Sequence, residues 1–307
     1  MEAAEDRARG GVAAPALRLE PEDAAFPRAV LRVTPQPGSL WADGEVALLT
    51  RPAVAIVGSR TPSPYGIQTA FDLARDLAGT GVVVVSGAAR GLDARAHEGA
   101  LAAGGGTIAV LGTGIDVVYP PENAPLIASI RRKGLVLSEF GPGVQPRPWT
   151  FPARNRIICA LARCLVVVEG RAKGGTSNSV EWASRLGLPV AAVPGRIDEP
   201  MAEGPNLLIQ QGAHVILSAD DVLALMDLPA RASQERRREA ARTHRARAAL
   251  SGAEATLYDL LTTKPVHVDV LAERSALAPG LLLAALSSLE LQGLALQLPG
   301  KHFAIAA

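Results

Sequence analysis

The residues best suited to chemistry lie in short loops that combine glycine with hydroxyl and arginine side chains. The segment GSRT at 58–61, the segment SGAARG at 86–91 and the segment GTG at 112–114 each follow an apolar run. Glycine lets the backbone approach a ligand, a following helix offers free N–H groups, and arginine pairs bidentately with phosphate. Each loop alone also fits an ordinary turn. Together they predict an anion site contacted by Ser59, Arg60, Gly87, Ala88, Arg90 and Gly91.

The region from Gly141 to Gly175 adds a second kind of group, because it places two aromatic residues among six basic ones and a single acid, Glu169. Aromatic rings stack bases for about 1–3 kcal/mol each, while cations follow the backbone of a single strand. Aromatics packed in the core and solvated arginines are the alternative. With the loops, the pattern favours single-stranded nucleic acid. The further candidate contacts are Arg147, Trp149, Phe151, Arg154, Asn155, Arg156, Lys173 and Thr176.

A parallel sheet would bring these loops together. Short apolar runs alternate with segments of helical spacing, such as 67–78 and 92–103. Wholly apolar strands separated by helices indicate a doubly wound, mostly parallel α/β sheet of the Rossmann-like kind over residues 46–228. The strands are expected at 53–57, 82–85, 107–111, 135–137, 165–168, 190–193 and 214–217.

Three further segments flank this core. Residues 1–45, which are rich in proline, glycine and charged residues, are expected to be an N-terminal extension, with the first ~17 residues disordered. Residues 229–249 hold seven arginines and are expected to be a linker. Residues 250–307 show three helices and a hairpin, which predicts a small winged helix. Its third helix, at 279–291, carries no Lys or Arg, so we expect the main DNA site in the core instead.

Composition narrows the function further. The formal net charge is +1, so a nucleic-acid site must be a local patch. Cys159 and Cys164 fit neither a metal site nor a disulfide framework, and nucleotide-binding fingerprints are incomplete, so we expect no metal, no cofactor and no catalytic residue. Asp93 is expected to cap a helix and His97 to be structural. No signal peptide or membrane-spanning segment is evident, which predicts a cytoplasmic protein without membrane contact.

The ordered motifs are similar to those of the DNA-processing protein A family (DprA, also called Smf). The matching stretches are AIVGSRTPSPYG, VVSGAARGLDARAHEGAL, TIAVLGTGIDVVYPPEN, LSEFGPG, FPARNRIICAL, AVPG and EGPNLLIQQGAH, from about residue 40 to 221. The resemblance implies a homodimeric, non-enzymatic protein that binds single-stranded DNA, protects it, and helps load RecA recombinase during natural transformation. Duplex DNA is left open as a further ligand.

The resemblance also implies where DNA binds and what is missing. The family's DNA pocket falls on Ser59 and Arg60, on Gly87–Gly91 and on Arg154–Arg156. A helical domain of the sterile-alpha-motif type, which many relatives carry before the core, is expected to be absent. The family's Ser-Gly-Ser-Leu helix opening is replaced by Gly-Gly-Thr-Ser-Asn-Ser at 174–179, which leaves the contacts around Thr176 to be tested.

Two other functions remain open from the residues. Gly174-Gly175-Thr176 and Glu181 partly echo the motif of Rossmann-like nucleotide phosphoribohydrolases, which makes an enzyme of that type the alternative. The spacing from Thr176 to Glu181 differs from that motif, and a surface position on a helix is the simpler interpretation of Glu181. The winged tail is also compatible with a transcription regulator that binds duplex DNA, a function that the neutral third helix disfavours.

Overall fold

The computed structural model describes residues 16–172, 174–230, 250–261 and 265–305. The chain divides into two compact units, one ending at Arg231 and the other beginning at Ala232. The first unit holds the loops singled out above. The expectations for residues 1–15, for Lys173 and for most of the arginine-rich stretch fall outside the described residues.

A nine-stranded sheet runs through the first unit, in the spatial order β1-β2-β6-β5-β4-β3-β7-β8-β9. Strands β3 to β9 are parallel, whereas β1 and β2 join one edge in antiparallel orientation. This confirms the predicted Rossmann-like, mostly parallel sheet. The strands are β1 (Leu17–Leu19), β2 (Leu40–Gly44), β3 (Ala53–Val57), β4 (Val83–Ser86), β5 (Thr107–Leu111), β6 (Leu135–Ser138), β7 (Leu165–Val167), β8 (Val190–Ala192) and β9 (His214–Val215).

Helices cover both faces of the sheet, which explains why its strands are apolar throughout. In β3, Ala53, Ala55 and Val57 pack in one layer with α4 and α5, while Val54 and Ile56 pack in the other with α1 and α2. The helices are α1 (Pro64–Gly79), α2 (Leu92–Ala102), α3 (Ala124–Lys133), α4 (Thr150–Leu161), α5 (Thr176–Leu186), α6 (Glu203–Gln210) and α7 (Ala219–Leu225).

The described part of the N-terminal extension belongs to this same core. β2 pairs with β6, placing Trp41 opposite Ser138. Leu19, Phe26 and Val30 are buried in the layer that also contains α4. The extension therefore closes the β6 side of the sheet.

The second unit is a winged helix, as the periodicity predicted. Its helices are α8 (Gly252–Leu260), α9 (Val268–Ser275) and α10 (Pro279–Leu291), and its sheet consists of β10 (Val266–His267), β11 (Ala295–Leu298) and β12 (His302–Ile305). Leu282, Leu286 and Leu289 of α10 are buried in the unit's own core. Leu283 and Leu291 are exposed, so the free face of α10 is apolar.

No single described helix has the length and apolar character that a membrane span requires. The bent pair formed by α9 and α10, with 115° between the two, meets that requirement by length and composition alone.

Candidate nucleic-acid interface

The carboxyl ends of β3, β4, β5 and β7 bring four loops to one edge of the sheet, here called the rim. The chain leaves β3 toward β4 on one side and later returns to pair β7 on its other side. Open α/β sheets bind ligands at such a reversal. Two clefts that share Arg60, Ala89 and Arg154 lie at the rim. The structure thus brings the predicted loops together.

The loop after β4 is held from below by buried polar groups. Gly87 N–H and Ala89 N–H donate to Oδ2 of Asp93 at 3.1 and 3.4 Å. Asn123 Nδ2 donates to the carbonyls of Ala88 and Ala89 at 3.0 and 3.2 Å, which supports the left-handed φ of 51° at Ala88. Burial raises the pKa of Asp93, and the nearby Arg154 opposes that rise. Asp93 therefore fixes the loop and does not cap the helix as expected, because the N-cap of α2 is Gly91 and no side-chain hydrogen bond caps that helix.

Arg154 reaches the same loop from the other side. Its Nη1 donates to the carbonyl of Gly87 at 2.6 Å and also to that of Val110, and a Cβ on Gly87 would lie 2.3 Å from the guanidinium nitrogens. Arg154 is only 4% exposed, and burial lowers its pKa to about 10, which leaves it protonated at neutral pH. Gly87 is needed because no side chain fits beside this guanidinium.

The loops after β3 and β7 are joined through Glu169. Its backbone carbonyl accepts from Ser59 N–H at 2.8 Å. Its buried carboxylate accepts from the N–H and the hydroxyl of Ser63, the N-cap of α1, at 2.9 and 2.5 Å. Thr61 N–H donates to Ser59 Oγ, and Leu92 N–H donates to the carbonyl of Ser59, both at 3.1 Å. These rim N–H groups thus have acceptors within the protein, whereas the sequence suggested that rim N–H groups were free for phosphate.

The exposed groups of the rim are cations beside aromatic rings. The Arg60 guanidinium lies 5.5 Å from the ring centroid of Phe151, which in turn lies 5.3 Å from that of Tyr119. Arg90 is exposed across the same cleft and pairs with Glu122, whose hydrogen bond raises the pKa of Arg90. Trp149 is 58% exposed and touches Phe140 edge-on. This surface, formed by Arg60, Arg90, Tyr119, Trp149 and Phe151, is called the aromatic–arginine patch below.

Several of the predicted DNA contacts are buried, so their side chains are not positioned to touch DNA directly. Arg156 is 3% exposed: it donates to the carbonyls of Pro35 and Ala153 at 3.0 and 2.5 Å and pairs with Glu139. Ala88 is fully buried and Arg154 nearly so. The two arginines are bound by acceptors within the protein and Ala88 is enclosed by it, so all three lie beneath the surface.

The remaining candidates line the second cleft or its surroundings. The cleft has a volume of about 390 Å³ and includes Ser59, Asn155, Arg171 and Thr176 among its walls. Asn155 Nδ2 donates to Asn178 Oδ1 at 3.2 Å, which links α4 to the start of α5. Gly91 takes φ +75°, and a Cβ there would lie 2.4 Å from the Ser59 carbonyl. Arg147 is exposed just before α4.

Two polar residues outside the set of predicted DNA contacts, His97 and Glu181, have partners within the protein. His97 is buried, its Nδ1 lies 2.7 Å from Thr107 Oγ1, and burial lowers its pKa to about 3. Glu181 is exposed on α5 and pairs with Arg185 at 2.5 Å. His97 is therefore a neutral core residue, and Glu181 is a residue of the helix surface.

Sequence reasoning missed Tyr119, Arg171 and the loop-fixing role of Glu169. Tyr119 follows the third loop by five residues, within GIDVVYPPEN, and no local pattern places its ring beside Phe151. Arg171 lies three residues after the predicted strand 165–168, in the loop that follows it, and that position was a usable signal. The partners of Glu169 lie more than a hundred residues away, beyond the reach of spacing.

The fold and the rim together define a class: a Rossmann-like protein with a cationic, aromatic surface at its switch point and an appended winged helix. The family model described as DNA recombination-mediator protein A matches residues 18–227, and the one described as DprA winged helix domain matches residues 241–301. The chain therefore belongs to the DNA processing protein A (DprA) family.

Individual relatives agree with this assignment. The putative DNA processing protein DprA of Mycobacterium tuberculosis is 38% identical over 89% of this chain and 70% of its own length. The Streptococcus pneumoniae DprA structure superposes with a TM-score of 0.66 at 41% identity, covering 68% of this chain and 74% of that one. DNA processing protein A from Helicobacter pylori, whose structure is described for its single-stranded DNA binding mode, gives 0.63 at 33% identity, covering 69% and 97%.

Proposed function

We propose that this chain binds single-stranded DNA along the rim, with phosphates on exposed arginines and bases on the aromatic rings. The observation that carries the proposal is the aromatic–arginine patch, where Arg60, Phe151 and Tyr119 lie in one row. Rings stack exposed bases, and single strands expose theirs whereas a duplex does not. The Helicobacter pylori relative, described for binding single-stranded DNA, supports the same ligand here.

Within this proposal, the predicted contacts divide into two groups. Ser59, Arg60, Arg90, Arg147, Trp149, Phe151, Asn155 and Thr176 would face the strand, together with Tyr119 and Arg171, which line the same two clefts. Gly87, Ala88, Gly91, Arg154 and Arg156 would position the loops that carry them. Lys173 is proposed for the first group from the sequence alone.

The decisive experiment is a shift assay with single- and double-stranded oligonucleotides over a salt series. The logarithm of the binding constant should fall linearly with the logarithm of the salt concentration, with a slope of about −0.7 for each phosphate contacted on a single strand. Arg60→Ala should lower affinity and make that slope shallower by about 0.7. Arg132→Ala removes the same charge from the last turn of α3, at the opposite edge of the sheet, and should change neither. Equal behaviour of the two variants would refute the site.

The biological role follows from the family. We propose that the protein protects incoming DNA during natural transformation, helps load RecA recombinase onto it, and works as a homodimer in the cytoplasm. Exposed Leu207, Val215 and Leu217 near the β9 edge offer an apolar surface for self-association. The loading step is tested by comparing RecA filament growth on single-stranded DNA in the presence and in the absence of this protein.

We further propose that binding occurs without turnover. The residue that echoed a phosphoribohydrolase motif, Glu181, is held in an exposed ion pair on α5 rather than at the rim. Incubation with nucleoside monophosphates should release no free base. A detectable release that Glu181→Gln abolishes would restore the enzyme as the better account.

A further inference from the structure

Two carboxyl groups of the protein take positions that, in a nucleotide-binding sheet, belong to phosphate. The loops and helix N-termini at a switch point bind phosphate through backbone N–H groups. Here Asp93 accepts from the N–H groups of Gly87 and Ala89, while Glu169 accepts from the N–H and hydroxyl of Ser63 at the start of α1.

We propose that Asp93 is a specificity residue that fills the anion position of the loop after β4, so that free phosphate and mononucleotides are excluded from the rim. Glu169 does the same at the start of α1. Ligands then have to be held by side chains, and only a strand long enough to meet several arginines at once gains enough contacts. The second half of this inference rests on the proposed function, whereas the exclusion of phosphate does not.

Three features of Asp93 support the assignment. Its side chain lies on the wall of the second cleft and is 7% exposed, so the position that it fills is next to the ligand space. Its partner groups converge from one loop within six residues. Arg154, on the other side of Gly87, supplies a buried positive charge that would attract another anion if the carboxyl group were removed.

The test compares the full chain with Asp93→Ala in titrations with inorganic phosphate and AMP, at constant ionic strength. The unsubstituted protein should show no change in Tm. Asp93→Ala should melt lower without phosphate and regain about 2–4 °C once phosphate exceeds its Kd about fivefold. Its single-stranded DNA affinity should fall as the loop loses its support.

Asp116→Ala is a matched control, because Asp116 also accepts a backbone N–H, that of Gly143 at 2.8 Å, but is exposed outside both clefts. Phosphate should not raise the Tm of Asp116→Ala. If Asp93→Ala does not fold, Asp93→Ser vacates most of the position and keeps one hydroxyl acceptor, and a phosphate-dependent rise in its Tm would support the proposal equally.

The outcomes separate the two levels of inference. Amide resonance shifts at Gly87 and Ala89 when AMP is added to the unsubstituted protein would overturn the exclusion. So would the absence of a phosphate response in both Asp93 variants. A protein that excludes AMP, gains phosphate binding in Asp93→Ala, yet never binds single-stranded DNA would contradict the proposed function and leave the role of Asp93 in place.

Discussion

Phe151 offers the flat surface on which a base of the proposed strand would stack. It is half-buried between Arg60 and Tyr119, so its ring is held in place before a ligand arrives. A ring fixed in this way loses little side-chain entropy on binding, and the whole stacking energy of about 1–3 kcal/mol per base can appear in the affinity.

Phe151→Leu should therefore weaken binding of single-stranded DNA by about 5- to 150-fold, because the apolar volume remains but the stacking surface is lost. Fluorescence anisotropy with a labelled oligothymidine measures the change. Phe71→Leu, at a half-buried position on α1, is the matched control and should leave the affinity unaltered. A loss that is equal in both variants would show a general packing defect.

His97 gives the core a dependence on pH. Burial lowers its pKa from 6.5 to about 3, so protonation favours the unfolded chain. The stability that this neutral imidazole contributes is complete above pH 6.5 and is lost as the pH falls toward 3. Between pH 7 and 5 the linked loss is about 2 kcal/mol.

Urea unfolding at pH 7 and pH 5 should therefore show a smaller acid-induced loss in His97→Gln than in the unsubstituted protein. The amide cannot take up the proton that imidazole binds on unfolding. His214→Gln, at an exposed position on β9, should retain the full loss. Identical pH dependence in all three proteins would contradict a neutral His97.

At the scale of elements, α10 stands where a winged helix usually meets the major groove. It carries no basic residue, its first turn holds no acid, and its exposed positions include Leu281, Leu283 and Leu291. Phosphate contacts need cations, and base edges need polar partners. The described surface of this helix suits contact with protein better than with DNA.

A chain that ends at residue 230 should accordingly keep its affinity for single-stranded DNA, with a change smaller than that caused by Arg60→Ala. The rim loops all belong to the first compact unit. Anisotropy titrations of the shortened and full chains make the comparison. Loss of binding in the shortened chain, with its melting transition intact, would move the main site to the tail.

The strands and helices show which features the sequence predicts. The runs 53–57 and 107–111 match β3 and β5 residue for residue, because burial on both faces of the sheet leaves an unbroken apolar signal. The expected helix 279–291 matches α10. β1 and β2 were missed because β2 pairs with β6, where Ser138 lies about a hundred positions from its partner Trp41, and β1 in turn pairs with β2. The buried state of Arg154 and Arg156 was missed for the same reason, since their acceptors come from distant loops.

For the whole molecule, the two edges of the sheet differ. β1 is the edge strand on one side and carries the exposed Arg18, whereas β9 is the edge strand on the other side and exposes Val215, close to Leu217. An open strand edge flanked by apolar groups favours pairing with an identical edge, and a twofold arrangement closes at two copies.

Leu217→Asp should therefore shift the proposed homodimer toward monomer, because a charge at an 82% exposed position costs nothing in the free subunit but is buried unpaired at such a contact. Sedimentation velocity over a concentration series reads the equilibrium. Ile197→Asp, fully exposed in the loop after β8, controls for added charge. An unchanged dimer in Leu217→Asp would place the interface elsewhere.

The buried neighbours Asp93 and Arg154 also constrain how this fold can evolve. Loss of Asp93 would leave the buried Arg154 without the charge that raises its pKa, and loss of Arg154 would leave the Asp93 carboxyl group without the charge that opposes the effect of burial. A descendant that acquired a nucleotide in this loop would have to lose the Asp93 carboxyl group while keeping the Arg154 cation, and that step lowers stability until another anion takes the place of the carboxyl group. A change from DNA binding to nucleotide binding at the rim therefore has to pass through less stable variants. This favours retention of DNA binding in a lineage while the exposed surface diverges.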